Sequence, residues 1–88
     1  MRNDTDGCCR VCGYAPADPP WGVDGSTPSF EICPCCGVEF GYEDATPGGV
    51  RRYRELWLST GGRWSDDSAP GDGLATAVRL QRVADEFR

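Results

Sequence analysis

A small α+β domain closed by a staple is the fold class that this sequence predicts, from three observations. The chain has 88 residues, a size at which a hydrophobic core alone supplies only a few kcal/mol. Two matching halves, Cys9-Arg10-Val11-Cys12-Gly13 and Cys33-Pro34-Cys35-Cys36-Gly37, hold five of its six cysteines, four of them in the shared Cys-x-x-Cys-Gly pattern. Around the second half, apolar residues alternate with acidic ones, and beyond residue 45 the apolar spacing becomes helical. Together these predict two cysteine knuckles on a β-hairpin, followed by two α-helices.

The chemistry of the staple follows from the spacing. Two residues between cysteines fold the chain back so that both sulfurs point at one ion, and the trailing glycine relieves the steric cost of the turn. Two such turns supply four thiolates, the number a tetrahedral zinc or iron site takes. Cys9, Cys12, Cys33 and Cys36 are the candidate ligands, because they alone satisfy the spacing and the glycine in both halves. Cys8 and Cys35 are then surplus, expected as small half-buried side chains, with a redox or second-metal role as the alternative. Residues 1–7 contain no apolar run of the kind a secretion signal needs, and no stretch reaches membrane-spanning length. A reduced, cytoplasmic setting is therefore expected, in which paired thiols bind metal rather than form disulfides.

Taken in order, residues 1–7 are polar and read as a disordered terminus. Residues 8–64 read as the metal-stapled domain. Within it, Tyr14 follows the first knuckle and can pack over the sulfurs. Residues 15–29 carry four prolines and two glycines and read as a loop, pinned by Trp21. Phe30-Glu31-Ile32 and Val38-Glu39-Phe40-Gly41-Tyr42 read as short antiparallel strands, with Phe30 and Ile32 on one face, Val38, Phe40 and Tyr42 on another, and Glu31 and Glu39 in water.

Thr46 is placed to cap a helix with Pro47 at its first position. Val50, Tyr53 and Trp57 recur at helical spacing with Leu56 beside them, and Gly61-Gly62 ends the run near Thr60. Arg51, Arg52 and Arg54 fall off the apolar stripe and are expected in solvent. Trp64 is expected to fold back on the domain. Residues 65–72 read as a polar linker. A second helix is expected over 73–88, capped by Asp72, with Leu80, Val83, Ala84 and Phe87 on one face.

From Cys9 to Trp64 the chain resembles the bacterial cysteine-rich proteins of the CPCC type. The resemblance is carried by Cys9-Arg10-Val11-Cys12-Gly13-Tyr14, by the block from Pro28 to Tyr42 around Cys33-Pro34-Cys35-Cys36-Gly37, and by Tyr53-Arg54-Glu55-Leu56-Trp57 and Gly61-Gly62-Arg63-Trp64. It implies zinc binding in a zinc-ribbon setting. The two knuckles are also similar to those of rubredoxin, which implies a rubredoxin-like fold and keeps iron as the alternative metal, with electron transfer as the alternative function. The helices that follow have no counterpart in rubredoxin.

Charge bears on partners. The net charge is −5 and it is uneven: eight acids face only Arg2 and Arg10 in residues 1–44, whereas seven arginines face six acids in 45–88. Nucleic-acid binding needs cationic surface to displace phosphate counterions, and the cysteine-bearing half is acidic. A closed four-cysteine site folds a chain rather than catalysing a reaction, and the chain has no histidine, so no enzyme activity is expected. The expected function is a structural zinc protein that binds another protein, with an immunity-type or accessory role on a toxin or enzyme partner as an alternative. The C-terminal helix offers a seam for a homodimer.

Overall fold

The computed structural model describes residues 7–69 and 71–88. The disordered terminus expected for residues 1–7 lies, apart from Gly7, outside the described residues, as does Pro70 of the expected linker.

Among the described residues the one long helix is α1, Pro47–Ser59. Thr46 caps it as the sequence predicts: its hydroxyl accepts from the Gly49 N–H at 3.0 Å, with Pro47 in the first turn. The helix stops at Gly61-Gly62. Gly61 N–H donates to the Leu58 carbonyl at 3.0 Å and Gly62 N–H to the Trp57 carbonyl at 3.1 Å, the paired bonds that satisfy the last free carbonyls of a helix. Gly61 takes a φ of 103°, which a side chain would resist. Val50 and Trp57 turn into the core, and the Trp57 indole N–H donates to the Arg63 carbonyl at 2.8 Å. Trp64 does fold back: its ring meets Tyr14 edge-on, centroids 5.5 Å apart.

The expected hairpin is not formed. Among the described residues, strand pairing amounts to one isolated antiparallel bridge, Ile32 to Glu39. Flanking bonds exist, Cys33 N–H to the Val38 carbonyl at 2.9 Å and Phe30 N–H to the Phe40 carbonyl at 3.1 Å. The ladder cannot extend, because Phe30 sits at φ 61° and Gly41 at φ 103°, both outside the extended region. The two apolar rows consequently separate. Val38 and Phe40 are buried, while Phe30, Ile32 and Tyr42 stay 63%, 58% and 74% exposed.

The second helix is also shorter than predicted. It comprises α2, Thr76–Leu80, a turn, and a 3₁₀ turn over Asp85–Phe87. Asp72 does not cap it. The residue before α2 is Ala75, with no side-chain cap, and Asp72 binds Arg79 instead. The break is held from outside: the Arg88 guanidinium donates to the carbonyls of Gln81 and Val83, at 2.7 and 3.1 Å, and Arg54 takes the Phe87 carbonyl at 2.6 Å. The apolar residues are nonetheless those expected. Val83 and Phe87 are buried in the core, with Leu80 and Ala84 packed against it. The core thus brings the cysteine turns, α1 and the C-terminal segment around one cluster of sulfurs.

The loop 15–29 is pinned at Trp21, whose indole N–H donates to Asp44 at 2.9 Å. Asp44 is fully buried and also accepts from Gly41 N–H at 2.7 Å. Arg10 stacks on both Trp21 and Phe87, 3.8 and 4.3 Å from the ring centroids, so it ties this loop to the end of the chain.

Candidate metal centre

The two knuckles form as nearly identical turns. Gly13 N–H donates to the Cys9 carbonyl at 3.0 Å, and Gly37 N–H to the Cys33 carbonyl at 2.9 Å. Cys9 N–H donates forward to Tyr14 at 2.7 Å, as Cys33 N–H does to Val38 at 2.9 Å. The glycines have φ of 84° and 83°, a conformation that only glycine adopts cheaply.

These turns bring four sulfurs together. The Sγ atoms of Cys9, Cys12, Cys33 and Cys36 all lie within 4.8 Å of one another. Cys9 to Cys36 is 3.7 Å and Cys12 to Cys33 is 3.7 Å, so each close pair takes one sulfur from each knuckle. A tetrahedron with zinc–sulfur bonds of about 2.3 Å has edges of about 3.8 Å. The donor set therefore fits a tetrahedral ion. All six cysteines are buried and none is in a disulfide.

The titration behaviour points the same way. Bonds from Cys12, and then from Cys36 and Cys9, hold the Cys33 thiol far below its ordinary range. The bond to Cys33 pushes Cys12 far up. Cys36 is also raised, because contacts with Cys33 and Cys9 and burial outweigh the bond from Cys12. A divalent ion among the four sulfurs would let all four thiols ionise.

Cys35 and Cys8 are not among the four convergent sulfurs. Both are buried rather than half-buried, 0% and 6% exposed. Cys35 serves the fold through its backbone: its carbonyl accepts from Ser65 N–H at 2.9 Å, next to Asp66 N–H on the Pro34 carbonyl at 3.0 Å.

Sequence reasoning missed the basic residues around the cluster. Arg54, expected in solvent, is half-buried and donates to the carbonyls of Val11 and Arg10 at 2.7 and 2.9 Å as well as to Phe87. Its place beside the stripe of Val50 and Trp57 was the available signal. Arg51 and Arg52 are exposed as expected. Arg79 is 2% exposed, and only the Asp72 seven residues before it hinted at a partner. Tyr53 donates its hydroxyl to the Cys36 carbonyl at 3.0 Å. Burial, reinforced by the negative charge of Cys36, pushes Tyr53 up to about 12.

The chain is 34% identical to the uncharacterized protein YoaQ of Bacillus subtilis (strain 168) over 68 aligned positions, and the match covers 60% of this chain and 58% of YoaQ. It is 32% identical to the uncharacterized protein YozI of the same organism over 97 aligned positions, 85% of this chain and 80% of YozI. The chain belongs to the YozI family. No protein-family model matches it, nor does any solved structure. For this member of the YozI family, no helix among the described residues is long and apolar enough to cross a membrane.

Proposed function

We propose that this protein is a small zinc-binding module in which Cys9, Cys12, Cys33 and Cys36 ligate one ion in a closed, structural site, and that its job is to bind another protein in the cytoplasm. The observation that carries the reading is the burial of the four-sulfur cluster, with Cys9, Cys12 and Cys33 fully buried and Cys36 4% exposed. A site closed by four thiolates has no position for substrate or water. The ion would hold the two knuckles together, a contribution of about 10 kcal/mol in small zinc domains and comparable with the whole stability of a chain this size.

The Cys33-Pro34-Cys35-Cys36-Gly37 core supports kinship with the CPCC type and a knuckle of the zinc-ribbon or rubredoxin kind. Protein binding is favoured by the exposed Phe30, Ile32 and Tyr42 beside Glu31, Glu39 and Glu43. Phe30 keeps a left-handed backbone, strain of the kind that collects at binding surfaces. A partner with a basic rim around an apolar centre complements this face; a toxin or enzyme neutralised by an immunity-type protein would be one such partner.

Elemental analysis of protein purified without added metal, with an absorption spectrum on the same sample, tests the metal. One zinc per chain in a colourless solution is expected. One iron with visible charge-transfer bands would replace the structural reading by electron transfer, and metal-free protein with oxidised thiols would overturn both.

A further inference from the structure

Arg79 is a charge buried in a place that packing alone does not require. It is 2% exposed, and burying an ion is costly unless its surroundings compensate. Compensation is partial. Its Nε and one terminal nitrogen donate to the two oxygens of Asp72 at 2.8 and 2.9 Å, and the same terminal nitrogen donates to the Leu74 carbonyl at 2.7 Å. The other terminal nitrogen is buried with no hydrogen-bond partner among the described residues. The Trp64 ring lies 5.1 Å from the guanidinium carbon. Asp72 is 18% exposed and also lies 3.7 Å from Arg82, so two guanidinium groups stand against one carboxylate, and water screens that carboxylate more than it screens Arg79.

Arg79 itself sits beside the first knuckle. The Arg79 backbone runs against Gly13, the residue after Cys12: a Cβ on Gly13 would lie 2.9 Å from the Arg79 carbonyl carbon and 3.4 Å from its Cγ. The bonds to Asp72 hold Arg79 above its ordinary range against desolvation. A divalent ion on four thiolates carries a net charge of −2, and a nearby buried cation stabilises that charge more than a solvated one would.

We propose that the Asp72–Arg79 pair is an electrostatic clamp on the metal centre, in which Asp72 positions Arg79 and the guanidinium sets how firmly the four sulfurs retain their ion. The clamp rests on the metal-binding reading above. It gives the C-terminal segment a role in metal retention, distinct from the part Arg54 plays by holding the carbonyls of the Cys9–Cys12 turn.

The test uses the full-length zinc-loaded chain and follows zinc transfer to the chromophoric chelator 4-(2-pyridylazo)resorcinol. R79M, which keeps most of the volume and loses the charge, is expected to release zinc about 10-fold faster, the scale of losing one partly screened charge interaction. R79K is expected to return most of that loss, and R52M, on the exposed face of α1, to match the unaltered chain. Because R79M can fold poorly, the reduction potential of the folded, iron-substituted protein is measured as well. Reduction takes an iron–tetrathiolate centre from −1 to −2, so R79M is expected to shift the potential negative and R79K to restore it. Zinc release from R79M at the unaltered rate, R79K as fast as R79M, or a potential indifferent to both substitutions would overturn the clamp. An unaltered chain that holds no metal would overturn the metal-binding reading itself.

Discussion

Gly13 and Gly37 close the two knuckles at φ of 84° and 83° and donate to the cysteine carbonyl four residues back at 3.0 and 2.9 Å; what differs is the material laid over them. The first knuckle is covered by arginines from the C-terminal half, Arg54 on its carbonyls and Arg79 against its glycine. The second is covered by neutral groups, Tyr53 on the Cys36 carbonyl and the Ser65 side chain near Gly37. The turn is a local object, set by cysteine spacing and glycine. Its cover is a long-range object, set by where a distant segment packs. Two copies of one local solution can therefore depend on different chemistry for their stability and for the charge around the ion.

The largest expected effect treats the knuckles alike. Cys12→Ser or Cys33→Ser removes a ligand from either turn, and each is expected to lose the metal and most of the fold, since the ion contributes about 10 kcal/mol. Cys35→Ser is expected to keep one ion per chain. Metal content and far-ultraviolet circular dichroism measure both, and equal metal loss in Cys35→Ser would mean that the ligand set is wrong.

The next comparison separates the turns. Gly13→Ala and Gly37→Ala each force a side chain into a left-handed backbone, about 1–2 kcal/mol. At Gly13 the new methyl also meets the Arg79 backbone carbonyl, which cannot move aside, whereas at Gly37 it meets only side-chain atoms, the Ser65 Oγ at 2.8 Å, the Ser65 Cβ at 3.1 Å and the Tyr53 hydroxyl at 3.2 Å, which can yield more easily. Gly13→Ala is thus expected to cost roughly 2 kcal/mol more, the scale of overpacking a close site. Denaturant melts of the metal-loaded variants read the difference, and equal midpoints would erase the distinction between the covers.

Smaller effects test the covers directly. Arg54→Met leaves the carbonyls of Arg10, Val11 and Phe87 without their donor, an expected loss of about 2–3 kcal/mol because the bonds are charge-assisted. Tyr53→Phe removes one neutral bond to the Cys36 carbonyl and is expected to cost about 1 kcal/mol. Thermal unfolding ranks the pair, and the reverse order would show that the second knuckle, not the first, depends more on its cover.

The same division between local and long-range explains what the sequence disclosed. The four convergent cysteines, the Thr46-Pro47 start of α1, its Gly61-Gly62 end and the return of Trp64 were legible, because each is written in neighbouring residues. The hairpin was misread because apolar alternation around the second knuckle carries no mark of the left-handed backbone at Phe30. The C-terminal helix was misread for a different reason. Leu80, Val83, Ala84 and Phe87 are the right core residues, but Arg88, Arg54 and Arg10 hold the chain in a broken path that only tertiary contact defines. Arg54 was misread because an arginine off an apolar stripe is normally solvated, and Arg79 was not singled out at all; only the folded chain shows the carbonyls and the carboxylate that receive them.

The most direct measurement is a cobalt(II) titration of the reduced, metal-free chain, followed by visible absorption. Saturation at one ion per chain, with the intense d–d bands of a tetrahedral centre and strong thiolate charge transfer lost in Cys33→Ser but kept in Cys35→Ser, is the expected result. Weak octahedral bands, or no saturable binding by fully reduced protein, would contradict a closed four-sulfur centre built from the two knuckles.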